Sequence, residues 1–133
     1  MTVRQLRLVV QVDDYDAAVA FFRDALGLTE EAAFSGGDDA RVMILEAGRA
    51  TLELANRAHH RYIDEVEVGR PVAPRIRVAF EVDDAVTRTA EAVAGGAVEL
   101  APPTRTPWRS LNARLDAPAG LHITVFQELD PPS

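Results

Sequence analysis

The chain has 133 residues, enough for one ordinary domain and too few for two independent ones. Its 14 basic and 21 acidic residues give a formal net charge of −7, which repels phosphate backbones and argues against a nucleic-acid partner. No apolar run reaches the roughly 18 residues of a membrane span, and no cysteine is available for disulfides or thiolate chemistry. With no visible secretory signal, these features predict a cytoplasmic protein without a membrane partner.

An internal repeat predicts the architecture. The segment LRLVVQVDD at 6–14 recurs 70 positions later as IRVAFEVDD at 76–84. Alternating apolar residues make each copy a strand, and the acidic pair at its end is suited to capping a helix. We therefore expect helices over about 15–26 and 84–95, each ended by glycine.

Three short strands are predicted after each helix. They lie near 29–35, 40–47 and 50–56 in the first half, and near 97–101, 108–116 and 121–128 in the second. The breaks between them are Gly36-Gly37, Gly48, Pro102-Pro103 and Pro118-Ala119-Gly120. The chain is thus predicted to be a single α+β domain of two βαβββ modules with curved mixed sheets around a shared groove: module 1 at about 4–56, a connector at 57–74 and module 2 at about 75–128. Residues 130–133 are expected to fray.

Alternation also predicts which side chains face the groove. On the first strand of each half, the face opposite the helix carries Arg7, Val9, Gln11, Arg77, Ala79 and Glu81. On the last strand of each half, it carries Thr51, Glu53, Ala55, His122, Thr124 and Phe126. This face is unusually polar for a sheet in so small a protein, so these residues are the candidates for chemistry.

The sequence resembles the vicinal oxygen chelate superfamily, the glyoxalase/bleomycin resistance protein/dioxygenase family. The resemblance rests on Val12-Asp13-Asp14 leading into Ala17-Ala18-Val19-Ala20-Phe21-Phe22 and Leu26-Gly27-Leu28, and on Leu115-Asp116-Ala117-Pro118-Ala119-Gly120 followed by Ile123-Thr124-Val125-Phe126. It covers nearly the whole chain and implies a homodimer. The superfamily includes isomerases, dioxygenases, epimerases and drug-binding proteins, so the fold alone does not select a function.

The family's metal enzymes take one ligand from the first and last strand of each module. By resemblance those positions fall on Arg7, Glu53, Arg77 and Thr124, of which only Glu53 is an ordinary metal ligand. Arginine is a permanent cation that repels a divalent ion. We therefore expect no metal and no other cofactor at this site.

Two interpretations of the arginines remain open. In the first, Arg7 and Arg77 bind a carboxylate or another oxyanion of a small ligand, because a guanidinium group can donate two hydrogen bonds to such an anion. Glu53 then orients the two arginines. In the second, Glu53 only neutralises the arginines and the ion network fixes the sheets.

Other residues carry weaker signals. Trp108 either stacks on a planar ligand or packs, and His122 is either a ligand contact or a hydrogen-bonded core histidine. In the connector, His59, His60 and Tyr62 are predicted to line the rim of the groove, and the charged segment 61–67 to be a solvated face.

The leading hypothesis is a metal-independent small-molecule-binding protein of the glyoxalase/bleomycin-resistance type. Its predicted ligand-binding residues are Arg7, Gln11, Glu53, Arg77, Trp108, His122 and Thr124. The alternative is a metal-free isomerase, epimerase or lyase, with Glu53 or Glu81 as the base and the two arginines stabilising an oxyanion. The sequence leaves open whether a reaction is catalysed.

Overall fold

The computed structural model describes residues 7–8, 10–50, 53 and 55–129. Three α-helices, six strands and two short 3-10 turns, Gly37–Asp39 and Pro118–Gly120, occur in these residues. In chain order the α-helices and strands are α1 (Tyr15–Val19, continued as a π-helical turn over Ala20–Ala25), β1 (Thr29–Ser35), β2 (Arg41–Glu46), α2 (Arg57–Glu67), β3 (Val78–Glu81), α3 (Ala85–Ala94), β4 (Val98–Arg105), β5 (Ser110–Ala117) and β6 (Leu121–Glu128). No described helix is long and apolar enough to cross a bilayer.

Module 2 has the predicted order β-α-β-β-β. Its four strands form one mixed sheet in the order β3-β6-β5-β4, with β3 parallel to β6 and the other pairs antiparallel. Helix α3 begins where the Asp84 carboxylate accepts a hydrogen bond from the Thr87 amide, and it ends at Gly95. The acidic pair after the first strand therefore caps the helix, as the repeat predicted.

The apolar core lies between this sheet and the helices. Phe21 and Leu26 from the first helical segment meet Ala92 of α3 and the apolar side of β5 and β6, including Ile123 and Val125. All five side chains are buried. Because successive strand residues face opposite sides, this packing turns the intervening polar residues of β5 and β6 to the other face of the sheet.

In module 1, the described residues form the first helix and an antiparallel hairpin of β1 and β2. The Asp14 side chain caps α1, and Gly27 takes the positive φ of 89° at which glycine ends a helix without steric cost. Residues 6, 9, 51, 52 and 54, on which the predicted strands at 6–12 and 50–56 depend, lie outside the described residues, as does the tail 130–133.

Two expectations about connections were wrong. Pro102 and Pro103 were predicted to end a strand near residue 101, but β4 runs through them to Arg105, with register irregularities between Ala101 and Thr104. An edge strand tolerates proline at a bulge because the missing N–H is not needed by a second neighbour. The next strand begins at Ser110 rather than near 108, because residues 106–109 form a turn closed by the hydrogen bond from the Arg109 amide to the Thr106 carbonyl.

The first half of the connector is a helix, α2, that packs on β4 and β5. The Asn56 side chain caps it by accepting from the His59 amide, and Gly69, with φ of 90°, ends it. This helix places connector side chains directly on the polar face of the module 2 sheet.

Gly95 is the point where α3 approaches the first helical segment, and it supports a prediction. A Cβ at Gly95 would lie 2.5 Å from the Ala25 Cβ, closer than two carbon atoms pack. We expect Gly95→Ala to lower the free energy of unfolding by about 1–3 kcal/mol through overpacking. Chemical denaturation followed by circular dichroism measures this loss.

The matched control is Gly37→Ala, since no atom lies within 4 Å of a Cβ built there. Adding Ala25→Gly to Gly95→Ala should recover part of the loss, because it removes the opposing methyl group. Equal effects of the substitutions at 95 and 37 would contradict the close approach.

Candidate functional site

The face of the module 2 sheet opposite the core carries a row of polar side chains. Asn112 and Arg114 project from β5, and His122 and Thr124 project from β6. In the antiparallel register Arg114 lies opposite Thr124, so their side chains are neighbours on the same face. All four are buried, which makes this a polar interior rather than a solvated surface.

Arg114 is at the centre of this row and is completely buried, with 0% of its surface exposed. Its Nη1 donates to Asp64 Oδ1 at 2.7 Å and its Nε donates to Glu67 Oε1 at 2.7 Å. The second oxygen of Glu67 accepts from the Asn112 amide nitrogen at 2.5 Å. A buried cation is thus paired with two buried carboxylates, as charges inside a protein require.

Asp64 also holds the chain that follows α2. Its Oδ2 accepts from the backbone amides of Val72 and Ala73 at 2.9 and 3.0 Å. Burial alone would raise the pKa of Asp64, but the hydrogen bonds from these amides and from Arg114 outweigh it, so the pKa lies below its usual value. Asp64 is therefore ionised at neutral pH and joins α2, the following loop and β5.

The expectation that residues 61–67 form a solvated face was wrong for Asp64 and Glu67, which are 2% and 3% exposed. They are the two buried residues of α2, spaced three apart and hence on one side of the helix. Arg61 and Glu65 are exposed, as a charged face would be. The sequence pattern could not separate the buried carboxylates from the exposed charged residues, because charged residues occur on all sides of α2.

Arg77 lies beside this network, just before β3. Its Nη1 donates to Thr124 Oγ1 at 2.6 Å, while its buried Nε has no hydrogen-bond partner among the described residues. Burial and the neighbouring charge of Arg114 lower the pKa of Arg77, against the opposing effects of Glu67, Glu53 and Asp64. No described carboxylate forms an ion pair with Arg77, so it is a partly desolvated cation.

His122 is held neutral between opposite charges. Because the Arg114 guanidinium can only donate, the His122 Nε2 at 3.4 Å is its acceptor, which leaves the proton on Nδ1, 3.4 Å from Asp116 Oδ1. Burial, followed by the positive charge of Arg114, lowers the pKa of His122. The side chain is a hydrogen-bonded interior histidine with its Nε2 facing the guanidinium.

The other predicted site residues are more exposed than the members of this cluster. Arg7, Gln11, Glu53 and Glu81 are exposed. Of these, Glu53 acts on the cluster through its charge, which opposes the lowering of the Arg77 pKa. The structure therefore brings together Arg77, His122 and Thr124 from the predicted set, and adds Arg114, Asn112, Asp64 and Glu67.

Trp108, in the turn between β4 and β5, belongs to a separate aromatic group with Tyr62 and His59 of α2. Its ring centroid lies 6.3 Å from that of Tyr62, and Tyr62 lies 6.4 Å from His59. Trp108 and Tyr62 remain 43% and 51% exposed. These rings pack at the outer margin of the helix rather than on the polar sheet face.

The residues at the positions that metal enzymes use do not fit a divalent ion. Of the four positions that the resemblance assigns to ligands, Arg77 is a permanent cation, and its guanidinium donates to the hydroxyl of Thr124. Within residues 7–8, 10–50, 53 and 55–129, no group of three or more histidine, cysteine or acidic side chains is placed to hold a metal. We therefore derive no chemistry through a metal here.

Sequence reasoning missed Arg114, although a signal for it exists. The polar residues Ser110, Asn112, Arg114 and Asp116 alternate with the apolar Leu111, Ala113, Leu115 and Ala117. Alternation was applied only to the first and last strands of each half, and β5 is neither. The partners Asp64 and Glu67 were not identifiable in this way, because contacts between a connector and a sheet are not periodic.

The mixed sheet of module 2 packs its apolar face on α3 and the first helical segment and buries a polar face under α2, and the sequence carries a repeat of its first strand and helix, a combination typical of glyoxalase-type proteins. The chain belongs to the Glyoxalase/Bleomycin resistance protein/Dioxygenase superfamily, whose model matches residues 4–125. The resemblance and the fold class expected from the sequence are thereby confirmed.

Solved structures share this fold at low sequence identity. A hypothetical protein from S. aureus matches with a TM-score of 0.62 at 14% identity, covering 94% of each chain. A glyoxalase/bleomycin resistance protein/dioxygenase family enzyme from Burkholderia phytofirmans matches with a TM-score of 0.58 at 16% identity, covering 91% of this chain and 94% of the other. A glyoxalase-related enzyme from Fulvimarina pelagi gives 0.57 at 15% identity, covering 94% and 88%. No curated protein sequence matches the chain.

Proposed function

We propose that the protein is a metal-independent small-molecule-binding protein of the glyoxalase/bleomycin-resistance type, which binds a carboxylate-bearing ligand on the polar face of the module 2 sheet. The observation that carries the proposal is a pair of unsatisfied cationic donors. Arg77 Nε and Arg114 Nη2 are both buried and have no hydrogen-bond partner among the described residues. Buried donors of this kind are costly unless an acceptor satisfies them.

An anionic oxygen suits these donors better than a neutral one. The charge of Arg114 lowers the pKa of Arg77, which means that the two guanidinium groups repel each other. A carboxylate near both would relieve that repulsion and accept from planar N–H groups, for which its geometry is suited. The Thr124 hydroxyl accepts from Arg77 and can still donate, so it would add a neutral contact.

The proposal includes a cytoplasmic homodimer, as family resemblance implies. An exposed apolar surface that a second copy of the chain would bury supports the dimer. It lies on the hairpin of module 1, where Phe34 and Val42 are 62% and 48% exposed. Phe34 and Val42 are cross-strand partners and lie side by side on the hairpin. The binding proposal does not depend on the dimer.

The test is a thermal-shift and calorimetric screen of acetate, malonate, succinate and benzoate, with sodium chloride added to equal ionic strength. We expect at least one carboxylate, but not its amide analogue, to stabilise the protein. Arg77→Met should weaken that binding about 10-fold or more, since a charge-assisted contact is lost. The matched control is Arg75→Met, because Arg75 is exposed and lies two residues away.

Two results would count against the proposal. Equal stabilisation by a carboxylate and its amide would show that charge is not recognised. Equal loss of binding in the variants at 75 and 77 would show a general charge effect. Chemical conversion of the bound carboxylate on long incubation would favour the metal-free isomerase, epimerase or lyase over a binding protein.

A further inference from the structure

Helix α2 bonds Arg114, one of the two donors on which the proposed function depends. Arg114 is 0% exposed and its Nη2 is buried, as is the Nε of Arg77. A dissolved molecule therefore cannot reach the Arg114 guanidinium while α2 lies on the sheet, whereas Arg77 is only partly buried. Binding at Arg114 requires the helix to move.

Two carboxylates make the side-chain hydrogen bonds between α2 and the sheet. The two buried residues of α2 are Asp64 and Glu67, while Ile63 and Val66 are only partly buried. An 11-residue helix is marginal without tertiary contacts, so its position depends on what its side chains bind. For α2 these partners are Arg114 and Asn112.

The two carboxylates differ in how firmly they are fixed. Asp64 also accepts from two backbone amides in the loop after the helix, which anchors it to its own segment. Glu67 is the last residue of α2 and bonds only groups of β5, namely Arg114 Nε and Asn112 Nδ2. Glu67 thus contacts the sheet as the carboxylate of a separate molecule would.

We propose that α2 is a displaceable lid, in which Glu67 occupies the carboxylate position on Arg114 and Asn112 and a small dicarboxylate binds by taking its place. This inference rests on the proposed function and adds the ligand class and the competitor. A dicarboxylate is favoured because lifting α2 removes both Asp64 and Glu67 from Arg114. Two carboxylates of one ligand would then compensate the charge of Arg114. Because only molecules with the lid open bind, the apparent affinity is the intrinsic affinity multiplied by the fraction of molecules that are open.

The test is Glu67→Gln, which keeps the size of the side chain but removes its charge, with malonate and succinate as probes. The lid predicts opposite effects on two quantities: the unliganded variant melts at a lower temperature, while it binds the dicarboxylate about 10-fold more tightly than the wild type. The control is Glu65→Gln, since Glu65 is exposed on the same helix. That control should change neither quantity.

Hydrogen exchange supplies a second readout on the intact protein. Saturating malonate should speed exchange of the α2 amides at 57–67 and slow exchange in β5 and β6. Slower exchange in α2 would overturn the lid, because the probe would then bind with the helix closed.

The outcomes separate the two proposals. If the wild type binds a dicarboxylate and Glu67→Gln binds it equally or less well, the lid is wrong and the binding function stands. If Glu67→Gln binds while the wild type does not, the lid is supported. If neither protein binds any carboxylate, both proposals fail.

Discussion

Replacing Arg114 with methionine should lower the free energy of unfolding by about 3–5 kcal/mol, the usual cost of removing one partner from a buried ion network. In the wild type, Asp64 and Glu67 each bond Arg114 at 2.7 Å. The variant leaves both carboxylates buried and charged with no cation opposite them. Methionine fills much of the volume, so most of the loss should reflect the stranded carboxylates rather than a cavity. Denaturant unfolding followed by circular dichroism measures it.

The matched control for this substitution is Arg41→Met. Arg41 also pairs with a carboxylate, Asp16, at 3.0 Å, but both side chains are exposed and the pair is worth little. A double variant with Arg114→Met and Glu67→Gln should be more stable than Arg114→Met alone, because one stranded charge is removed. If Arg114→Met does not fold, Arg114→Lys keeps the charge and should show an intermediate loss. Similar losses for the variants at 41 and 114 would contradict a central role for the network.

The second large effect is expected at Asp64, and it depends on pH. Asp64→Asn should lose about 2–3 kcal/mol at pH 7, since hydrogen bonds to a charged group are weakened or lost. The folded-state pKa of Asp64 lies below its ordinary value of 3.8, so the folded state binds its proton less readily than the unfolded state. The stabilisation is therefore complete above pH 3.8 and disappears as the pH falls through the lowered pKa.

The measurement is the unfolding free energy of wild type and Asp64→Asn from pH 7 to pH 2. The difference between the two curves should be constant near neutrality and shrink below pH 3.8. Taking the difference cancels the other carboxylates, which titrate in both proteins. Glu65→Gln, an exposed neighbour on α2, should run parallel to the wild type. A difference that persists unchanged at pH 2 would exclude the assigned role.

The fold was predictable because its signals are local and repeated. Alternation identified β6, and the acidic pairs at 13–14 and 83–84 marked where helices begin, since a carboxylate at that position satisfies free amides. The end of β4 could not be predicted in this way. Proline normally interrupts a strand, and only the edge position of β4 makes Pro102 and Pro103 compatible with it.

The candidate site was predictable only in part. Arg77, His122 and Thr124 followed from alternation on strands whose faces the repeat had already fixed. The pairing of Asp64 and Glu67 with Arg114 spans about 50 positions of sequence and joins a connector to a sheet. Because charged residues on a connector are usually solvated, no local pattern distinguishes the two buried carboxylates from exposed Glu65.

The proline pair in β4 also bears on how copies of this chain can associate. An open sheet edge invites strand addition, because its unpaired N–H and C=O groups template another chain. Pro102 and Pro103 supply no N–H there, and the register irregularity beside them interrupts the ladder. The β4 edge of the module 2 sheet is therefore a poor template for fibril growth or intermolecular strand exchange.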